Sequence, residues 1–337
     1  MDAQRVVSKL QELFQSPRST IEEQFSPYFY RYFGRYKNPH RFAGYLDLCR
    51  SIFDMTHANG ASVLDLGCGF GLMATIVRLY GASEVVGYDL NIEKIELFQR
   101  LLTHLGSDIE KVEPVLGDSS MISYPDQSFN VVIANESLSH IGDLGASIGE
   151  VYRVLKPGGS FLIRDGNNSL FLPGRVQRRI FWRRVEKGPV DPLWFRSTDL
   201  ILPYVEIRKK MILQRWPEMV PDKAQLLAGK TAGMFGDEIL RAVEEFEKKG
   251  DISKRQEFGY RNPITGEFPE REMNPFHLQN KLRTAGFAVS FVPYFYSESF
   301  TNPERAVKRV LYLVEKYIPI AHLFLTSGFG LLGLKRA

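Results

Sequence analysis

A glycine-rich turn directly after a short apolar run constrains this chain more than any other feature. The run at residues 63–66 carries one carboxylate, Asp65, and glycine then occupies every second position, at Gly67, Gly69 and Gly71. Glycine allows positive φ and lets backbone N–H groups come close to a ligand. The pattern therefore predicts a buried parallel strand with a nucleotide-type ligand at its carboxyl end.

A second apolar run, at residues 84–89, ends in another carboxylate, Asp89. Residues 72–80 between the two runs have a helical pattern, and Gly81 stands where glycine commonly ends a helix. Together they predict a βαβ unit with Asp89 at the tip of its second strand. An ionised carboxylate has two acceptor oxygens, so it can accept hydrogen bonds from both hydroxyls of a ribose.

Three further apolar runs also end in polar residues, which predicts five successive strands of an open α/β sheet. Ligands of such sheets bind at the carboxyl ends of the strands, so these polar residues are expected around one site. The runs are residues 112–116 before Gly117, Asp118 and Ser119; residues 129–134 before Asn135 and Glu136; and residues 160–163 before Arg164 and Asp165.

The order and spacing of these motifs resemble those of the class I S-adenosylmethionine-dependent methyltransferases. The resemblance covers roughly residues 60–165, and four motifs carry it: the turn at 65–71, Asp89, the pair at 117–118 and Val-Leu-Lys-Pro-Gly-Gly at 154–159. The turn has the form G-x-G-x-G, whereas a nicotinamide or flavin site is expected to have G-x-G-x-x-G. A dinucleotide-dependent dehydrogenase is therefore the less favoured alternative.

The resemblance implies an α/β, Rossmann-like fold, with a seven-stranded, mostly parallel sheet and helices on both faces. In this family a final strand runs antiparallel to the others, and residues 329–335 are the candidate for it. We expect an N-terminal helical cap at 1–58 and a methyltransferase core at 59–165 and 272–337. A large insertion after the fifth strand, at 166–271, should form a lid and part of the substrate site.

The resemblance also implies where the donor, S-adenosyl-L-methionine, binds. The glycine turn should approach its methionine end, and Asp65 should orient the turn and reach the ammonium group through water. Asp89 should accept hydrogen bonds from the ribose hydroxyls, and Asp118 should accept one from the adenine amino group. The product would be S-adenosyl-L-homocysteine. The full set expected at the cofactor is Asp65, Gly67, Gly69, Gly71, Asp89, Leu90, Asp118, Ser119 and Asn135.

Methyl transfer from a sulfonium is an in-line displacement, so the protein must align the reacting groups, exclude water and in some cases remove a proton. His140 follows the fourth strand and is the candidate general base, because its ordinary pKa suits proton transfer near neutral pH. A surface histidine is the alternative interpretation. Arg164, Asp165 and His277 are further candidates.

Composition excludes several classes of protein. The net charge of +4 and pI near 8.9 are too mild to indicate nucleic acid by themselves. The only cysteines, Cys49 and Cys68, form neither a disulfide framework nor a C-x-x-C pattern, and no metal is expected.

Residues 1–5 lack the apolar core of a signal peptide, so we expect a cytoplasmic protein. Residues 318–334 lack charge but contain Pro and Gly, which favours a buried helix, a turn and the last strand over a membrane span.

The segment 175–187 holds six basic residues and one acid, Glu186. A basic amphipathic helix can lie on an anionic membrane or meet a phosphate-bearing substrate. On a helical wheel, however, Val176 and Ile180 point away from the aromatic pair at 181–182. The apolar and basic residues do not separate cleanly, which favours a solvated helix with some packed aromatic rings.

Both the insertion and the N-terminal helices are aromatic-rich, and both should flank the carboxyl edge of the sheet. They predict an enclosed pocket for a small or medium-sized acceptor, anionic or linked to a natural product, glycan or lipid, and methylated at oxygen. The alternatives are a nucleic-acid methyltransferase that uses residues 175–187 and a non-catalytic S-adenosylmethionine-binding protein. Membrane contact is expected to be peripheral at most, and a homo-oligomer stays open.

Overall fold

The structure is a computed structural model that describes residues 3–189, 202–252, 261–264, 266, 271–294, 310, 313–318 and 320–336. The chain divides into two compact units. The first contains residues 1–171 and 273–337, and the second contains residues 172–272.

One seven-stranded sheet forms the centre of the first unit. The strand order is β3-β2-β1-β4-β5-β7-β6, and β7 runs antiparallel to both of its neighbours. This arrangement confirms the predicted Rossmann-like sheet and its antiparallel last strand. The strands are β1 (Ser62–Leu66), β2 (Glu84–Asp89), β3 (Val112–Leu116), β4 (Phe129–Asn135), β5 (Leu155–Asp165), β6 (Phe287–Val292) and β7 (Phe329–Lys335).

The sheet is covered on both faces, which explains the continuous apolar runs of its central strands. Val63 belongs to one hydrophobic cluster, and its neighbour Leu64 belongs to a second cluster on the opposite face. Successive residues of a strand point to opposite faces, so a strand covered on both sides must be apolar throughout. Every residue of β1 is accordingly buried, including Asp65.

Four helices precede the sheet and pack against it through aromatic rings. Phe70, in the glycine turn, is surrounded by rings of the third helix, with centroids 5.2 Å away for Tyr28, 5.6 Å for Phe29 and 5.4 Å for Phe33. This contact anchors the turn to the N-terminal helices. The helices are α1 (Ala3–Gln15), α2 (Arg18–Gln24), α3 (Pro27–Phe33) and α4 (Pro39–Met55), with a 3₁₀ helix at Gly34–Lys37.

Three helices connect the parallel strands, and side chains cap two of them. Asn91 accepts a hydrogen bond from the backbone N–H of Lys94, and Asp143 accepts one from Ala146. Such caps satisfy backbone donors that the helix itself cannot pair. These helices are α5 (Leu72–Leu79), α6 (Ile92–Leu105) and α7 (Leu144–Val154), with short 3₁₀ helices at Gly106–Asp108 and Leu138–His140.

The second unit contains four described helices and its own hydrophobic core, in which Ile212, Leu227 and Val243 are fully buried. The guanidinium of Arg208 is also fully buried, donating to the carboxylate of Glu186 and to the carbonyl of Ala228. The helices are α8 (Leu172–Lys187), α9 (Tyr204–Arg215), α10 (Pro221–Lys230) and α11 (Asp237–Lys249). The role of residues 166–271 as a lid stays a prediction.

The chain then returns to the first unit through α12 (Pro275–Thr284), which leads into β6. Before β7, the structure differs from the buried helix predicted within residues 318–334: it has a four-residue 3₁₀ helix at Ala321–Phe324. Leu323 is buried there, whereas Phe324 is 55% exposed. Within the described ranges, no helix is long and apolar enough to cross a membrane.

Candidate active site

The glycine turn leaves β1 in a left-handed conformation that its three glycines make accessible. Gly67, Gly69 and Gly71 have φ values of 75°, 56° and 74°. The N–H of Gly67 donates to the carbonyl of Tyr88 at 2.7 Å, which ties the turn to the end of β2. Gly71 then becomes the N-cap of α5.

The three glycines have different surroundings. A Cβ atom at Gly67 would lie 2.4 Å from Cβ of Ser137, and one at Gly71 would lie 2.1 Å from the ring of Phe98. A Cβ atom at Gly69 would have nothing within 4 Å. Protein atoms therefore occupy the space beside the outer two glycines, and only the middle one faces open space that a ligand could enter.

Asp89 lies directly beside this open position. Its Oδ2 accepts the N–H of Gly69 at 2.9 Å, and its Oδ1 accepts the N–H of Asn91 at 2.9 Å. Each carboxylate oxygen has about two acceptor positions, so both retain capacity for a further donor. The next residue, Leu90, is 68% exposed. The predicted ribose acceptor and the predicted glycine turn are thus brought together.

Asp65 lies beneath the turn and is 4% exposed. Burial, followed by the negative charge of Asp89, raises the pKa of Asp65 to about 7. Its Oδ2 is buried and has no hydrogen-bond partner among the residues that the structure describes. A buried carboxylate without a full set of partners is costly, and a nearby cation would stabilise its ionised form.

The tip of β3 continues the same edge. Gly117 donates its N–H to the carbonyl of Asp89 at 3.0 Å, which places the next two residues beside the end of β2. Asp118 is exposed, and its Oδ1 accepts the N–H and the hydroxyl of Ser120, both at 2.8 Å. The hydroxyl of Ser119 lies 2.8 Å from that of Ser147 on α7.

A group of polar side chains lies at the tips of β4 and β5, around Glu136. Glu136 has a φ of +56°, a backbone conformation that residues other than glycine rarely adopt. Its Oε2 accepts the N–H of Gly166 at 2.8 Å, and its Oε1 accepts the hydroxyl of Tyr294. The guanidinium of Arg164 lies 4.6 Å from the centroid of the Tyr294 ring and donates to Asn135 Oδ1 at 2.8 Å.

This environment changes the ionisation of Glu136. Desolvation among the strand tips, followed by the charge of Asp165, raises the pKa of Glu136 to about 7. Desolvation also raises the pKa of the Tyr294 hydroxyl well above its ordinary value. Glu136 is nevertheless exposed, so small molecules in solution can reach its carboxylate.

The catalytic candidates predicted from the sequence have different surroundings. Asp165 is fully buried and accepts the N–H groups of Ser139 and Asn167, each at 3.0 Å, so it holds the loops in place. His140 ends the 3₁₀ helix that follows Glu136, and its side chain is exposed. His277 is exposed on α12. No observation tests the catalytic role of His140, which stays a prediction.

Sequence reasoning missed the pairing of Glu136 with Tyr294. Glu136 stood out as a polar residue at a strand tip, and that signal was available from the pattern alone. Tyr294 lies 158 residues further along the chain, beyond β6. Only the position of β6 and β7 beside β5 brings the two side chains together.

Residues 57–189 match the model of a family described as a methyltransferase domain. The chain therefore contains a methyltransferase domain at these residues. Among solved structures, an S-adenosylmethionine dependent methyltransferase from Mesorhizobium loti is similar, with a TM-score of 0.41 at 16% identity, over 82% of this chain and 92% of that one.

Three relatives each match about a third of this chain. Sterol 24-C-methyltransferase erg6 of Aspergillus fumigatus is 39% identical over 102 residues, which are 30% of this chain and 27% of that protein. Phosphoethanolamine N-methyltransferase 3 of Arabidopsis thaliana is 33% identical over 123 residues, 36% of this chain and 24% of that protein. A "Probable S-adenosylmethionine-dependent methyltransferase" of Mycolicibacterium smegmatis is 31% identical over 116 residues, 34% and 42% of the two chains. The chain thus spans less than half the length of each.

Proposed function

We propose that the whole protein transfers a methyl group from S-adenosylmethionine to a small or medium-sized acceptor. The observation that carries the proposal is a pair of interacting carboxylates, Asp65 and Asp89, of which Asp89 lies beside the open position at Gly69. One oxygen of the buried Asp65 has no partner among the described residues, and the charge of Asp89 disfavours its ionisation. A site with this charge favours a ligand that carries positive charge.

The residues at the strand tips fit that donor. When bound, S-adenosylmethionine supplies a methyl group activated by its sulfonium charge. Asp89 has acceptor capacity left for ribose hydroxyls, and the exposed Asp118 lies one strand further for the adenine amino group. Asp65 compensates positive charge at the methionine end. Gly67 and Gly71 shape the turn by close packing, and Gly69 lets a ligand approach.

Glu136 is the group best suited to remove a proton from an acceptor. A general base works best when its pKa is near the working pH, and the pKa of Glu136 is raised to about 7. The hydroxyl of Tyr294 and the N–H of Gly166 hold the carboxylate in one orientation. The guanidinium of Arg164 donates hydrogen bonds to the side chain of Asn135 and to the backbone carbonyl of Tyr294, so Arg164 acts as a positioning residue.

For the acceptor, we propose a lipid or lipid precursor, the lipid-linked class among those expected from the sequence. The names of two relatives specify a sterol and phosphoethanolamine, which are both of this kind. Those names give carbon and nitrogen as the methylated atoms, so methylation at oxygen stays a prediction without support from relatives.

Calorimetric titration with S-adenosylmethionine tests the donor site. We expect Asp89→Ala to bind about 10- to 100-fold more weakly, because hydrogen bonds to a charged group contribute about 1.5–3 kcal/mol. Asp54→Ala, which changes an exposed carboxylate on α4, is the matched control and should bind like the wild type. Equal affinity of the wild type and Asp89→Ala would refute the ribose assignment, and tight NADH binding without S-adenosylmethionine binding would favour a dehydrogenase.

An acceptor screen that measures release of S-adenosylhomocysteine tests catalysis. Sterols, aminoalcohol phosphates and phospholipids come first, with short RNA and DNA as the competing class. Donor binding without product release on any acceptor would favour the non-catalytic alternative. With an acceptor identified, Glu136→Gln should remove the rise of kcat that accompanies deprotonation near pH 7, whereas His140→Gln should keep it. The opposite result would assign the base to His140.

A further inference from the structure

Among the described residues of the second unit, the contacts of helix α8 lie along one side of the helix. Val185 is 1% exposed and forms a small cluster with Tyr204, and the half-buried rings of Phe181 and Trp182 pack against that cluster. The Phe181 and Trp182 rings also contact each other edge to face, with centroids 4.8 Å apart. This side of the helix is already occupied by protein.

The other side exposes three large aliphatic side chains. Leu172 is 65% exposed, Val176 is 50% exposed and Ile180 is 48% exposed. They are four residues apart, so they form one stripe that extends about 12 Å along the helix. Single exposed aliphatic residues are ordinary, but three in one stripe along a helix leave an unusual amount of apolar surface in contact with water.

Basic side chains lie along the same stripe. Arg179, Arg183 and Lys187 are exposed, and with 100° per residue they fall between and beside the aliphatic positions. The only acid of α8 is Glu186, which is buried against Arg208. The outer side of α8 therefore carries positive charge without a carboxylate of its own helix.

We propose that this side of α8 lies on an anionic membrane surface, with its axis in the plane of the bilayer. The aliphatic side chains would enter the boundary between headgroups and acyl chains, and the basic side chains would meet the lipid phosphates. A nucleic acid would use the positive charge but would leave the aliphatic strip in water, since stacking requires aromatic rings. The mixture of aliphatic and basic residues on one side suits a lipid surface better.

Vesicle flotation of the full chain tests the proposal. The vesicles contain phosphatidylcholine alone, or phosphatidylcholine with about one third phosphatidylglycerol, at low and high salt. We expect binding to the anionic vesicles at low salt, weaker binding at high salt, and little binding to the neutral ones. Because each basic residue near such a surface contributes about fivefold in affinity, Arg179→Ala with Arg183→Ala should weaken binding about 25-fold.

A second pair tests the aliphatic strip: Val176→Glu with Ile180→Glu should abolish flotation. Matched controls change side chains of similar exposure elsewhere in the second unit. Val220→Glu with Leu226→Glu alters two aliphatic residues that are 63% and 54% exposed, and Arg241→Ala with Lys248→Ala removes two exposed charges of α11. Both control pairs should bind like the wild type.

Three results would overturn the proposal: no binding of the wild type to anionic vesicles at low salt, equal binding to neutral vesicles, or equal losses in the α8 pairs and the controls. Alanine is the best helix former, so the arginine pair should fold normally, and circular dichroism with thermal unfolding checks this for every variant. Salt-sensitive RNA binding that depends on Arg179 and Arg183, with no vesicle binding, would identify a nucleic-acid surface instead.

Discussion

Replacing Asp65 with asparagine should stabilise the folded protein relative to the wild type, and this gain should increase with pH. The pKa of Asp65 is raised from 3.8 to about 7 in the folded protein, because the carboxylate is buried and lies near Asp89. Between these two pH values the folded protein binds a proton at Asp65 that the unfolded chain has released. The free energy of unfolding of the wild type therefore decreases as the pH rises from about 4 to 7, and this contribution is constant above pH 7.

The magnitude follows from the size of the shift. One pKa unit corresponds to about 1.4 kcal/mol, so the two units between pH 5 and pH 7 correspond to about 3 kcal/mol. The asparagine side chain would have no charge to bury and would keep an oxygen that can accept from the backbone of Ala74. At pH 5 the unfolded wild-type chain is already ionised at Asp65, so part of the difference between the two proteins is present there. From pH 5 to pH 8 the stability of the Asp65→Asn variant relative to the wild type should rise further, by about 3 kcal/mol.

Urea unfolding of both proteins at pH 5, 6, 7 and 8 measures this difference. Glu136 also titrates near pH 7, but it is present in both proteins and cancels from the comparison. A difference in unfolding free energy that stays constant from pH 5 to pH 8 would refute the reasoning. Under the proposed function, adding S-adenosylmethionine at pH 8 should stabilise the wild type more than the variant, because only the wild type offers the ligand a second negative charge.

Further predictions concern packing and the second unit. Gly71→Ala should lose about 3 kcal/mol in urea unfolding, because its Cβ meets Phe98 at 2.1 Å and its φ is +74°, whereas Gly69→Ala, without a contact, should lose only about 1 kcal/mol. Arg208→Ala should cost about 3–5 kcal/mol, because it leaves Glu186 buried without its cation. The double replacement Arg208→Met with Glu186→Leu should restore most of that loss in the same assay.

Much of the fold could be predicted because its signals are local. The run at 63–66 is apolar except for Asp65 because both faces of the sheet are covered, and Asp89 ends its strand where the sequence pattern placed it. The antiparallel last strand was confirmed at Phe329–Lys335. Its expectation came from the family resemblance, since an apolar run rich in glycine does not by itself specify a direction.

What could not be predicted depends on contacts between distant parts of the chain. The sequence pattern does not distinguish Gly67, Gly69 and Gly71. In the structure, glycine is needed at the first and last of these positions, because Ser137 and Phe98 from other elements fill the space of a Cβ atom. The raised pKa of Glu136 likewise depends on desolvation among the strand tips and on the charge of Asp165, which comes from another strand. A pattern of residue types indicates a helix or a strand, but only the folded structure shows which side chains pack against it.

The position of β7 has a consequence for how the chain folds during its synthesis. β7 lies between β5 and β6, so residues 329–335 form an interior strand of the sheet, and β6 has no other neighbour in the strand order. During synthesis, one edge of β5 stays unpaired until residues 329–335 have left the ribosome. The second unit, residues 172–272, is made during that interval and has a hydrophobic core of its own to form. A chain that ends after residue 292 would therefore contain all of β6 but not β7, the strand with which β6 pairs.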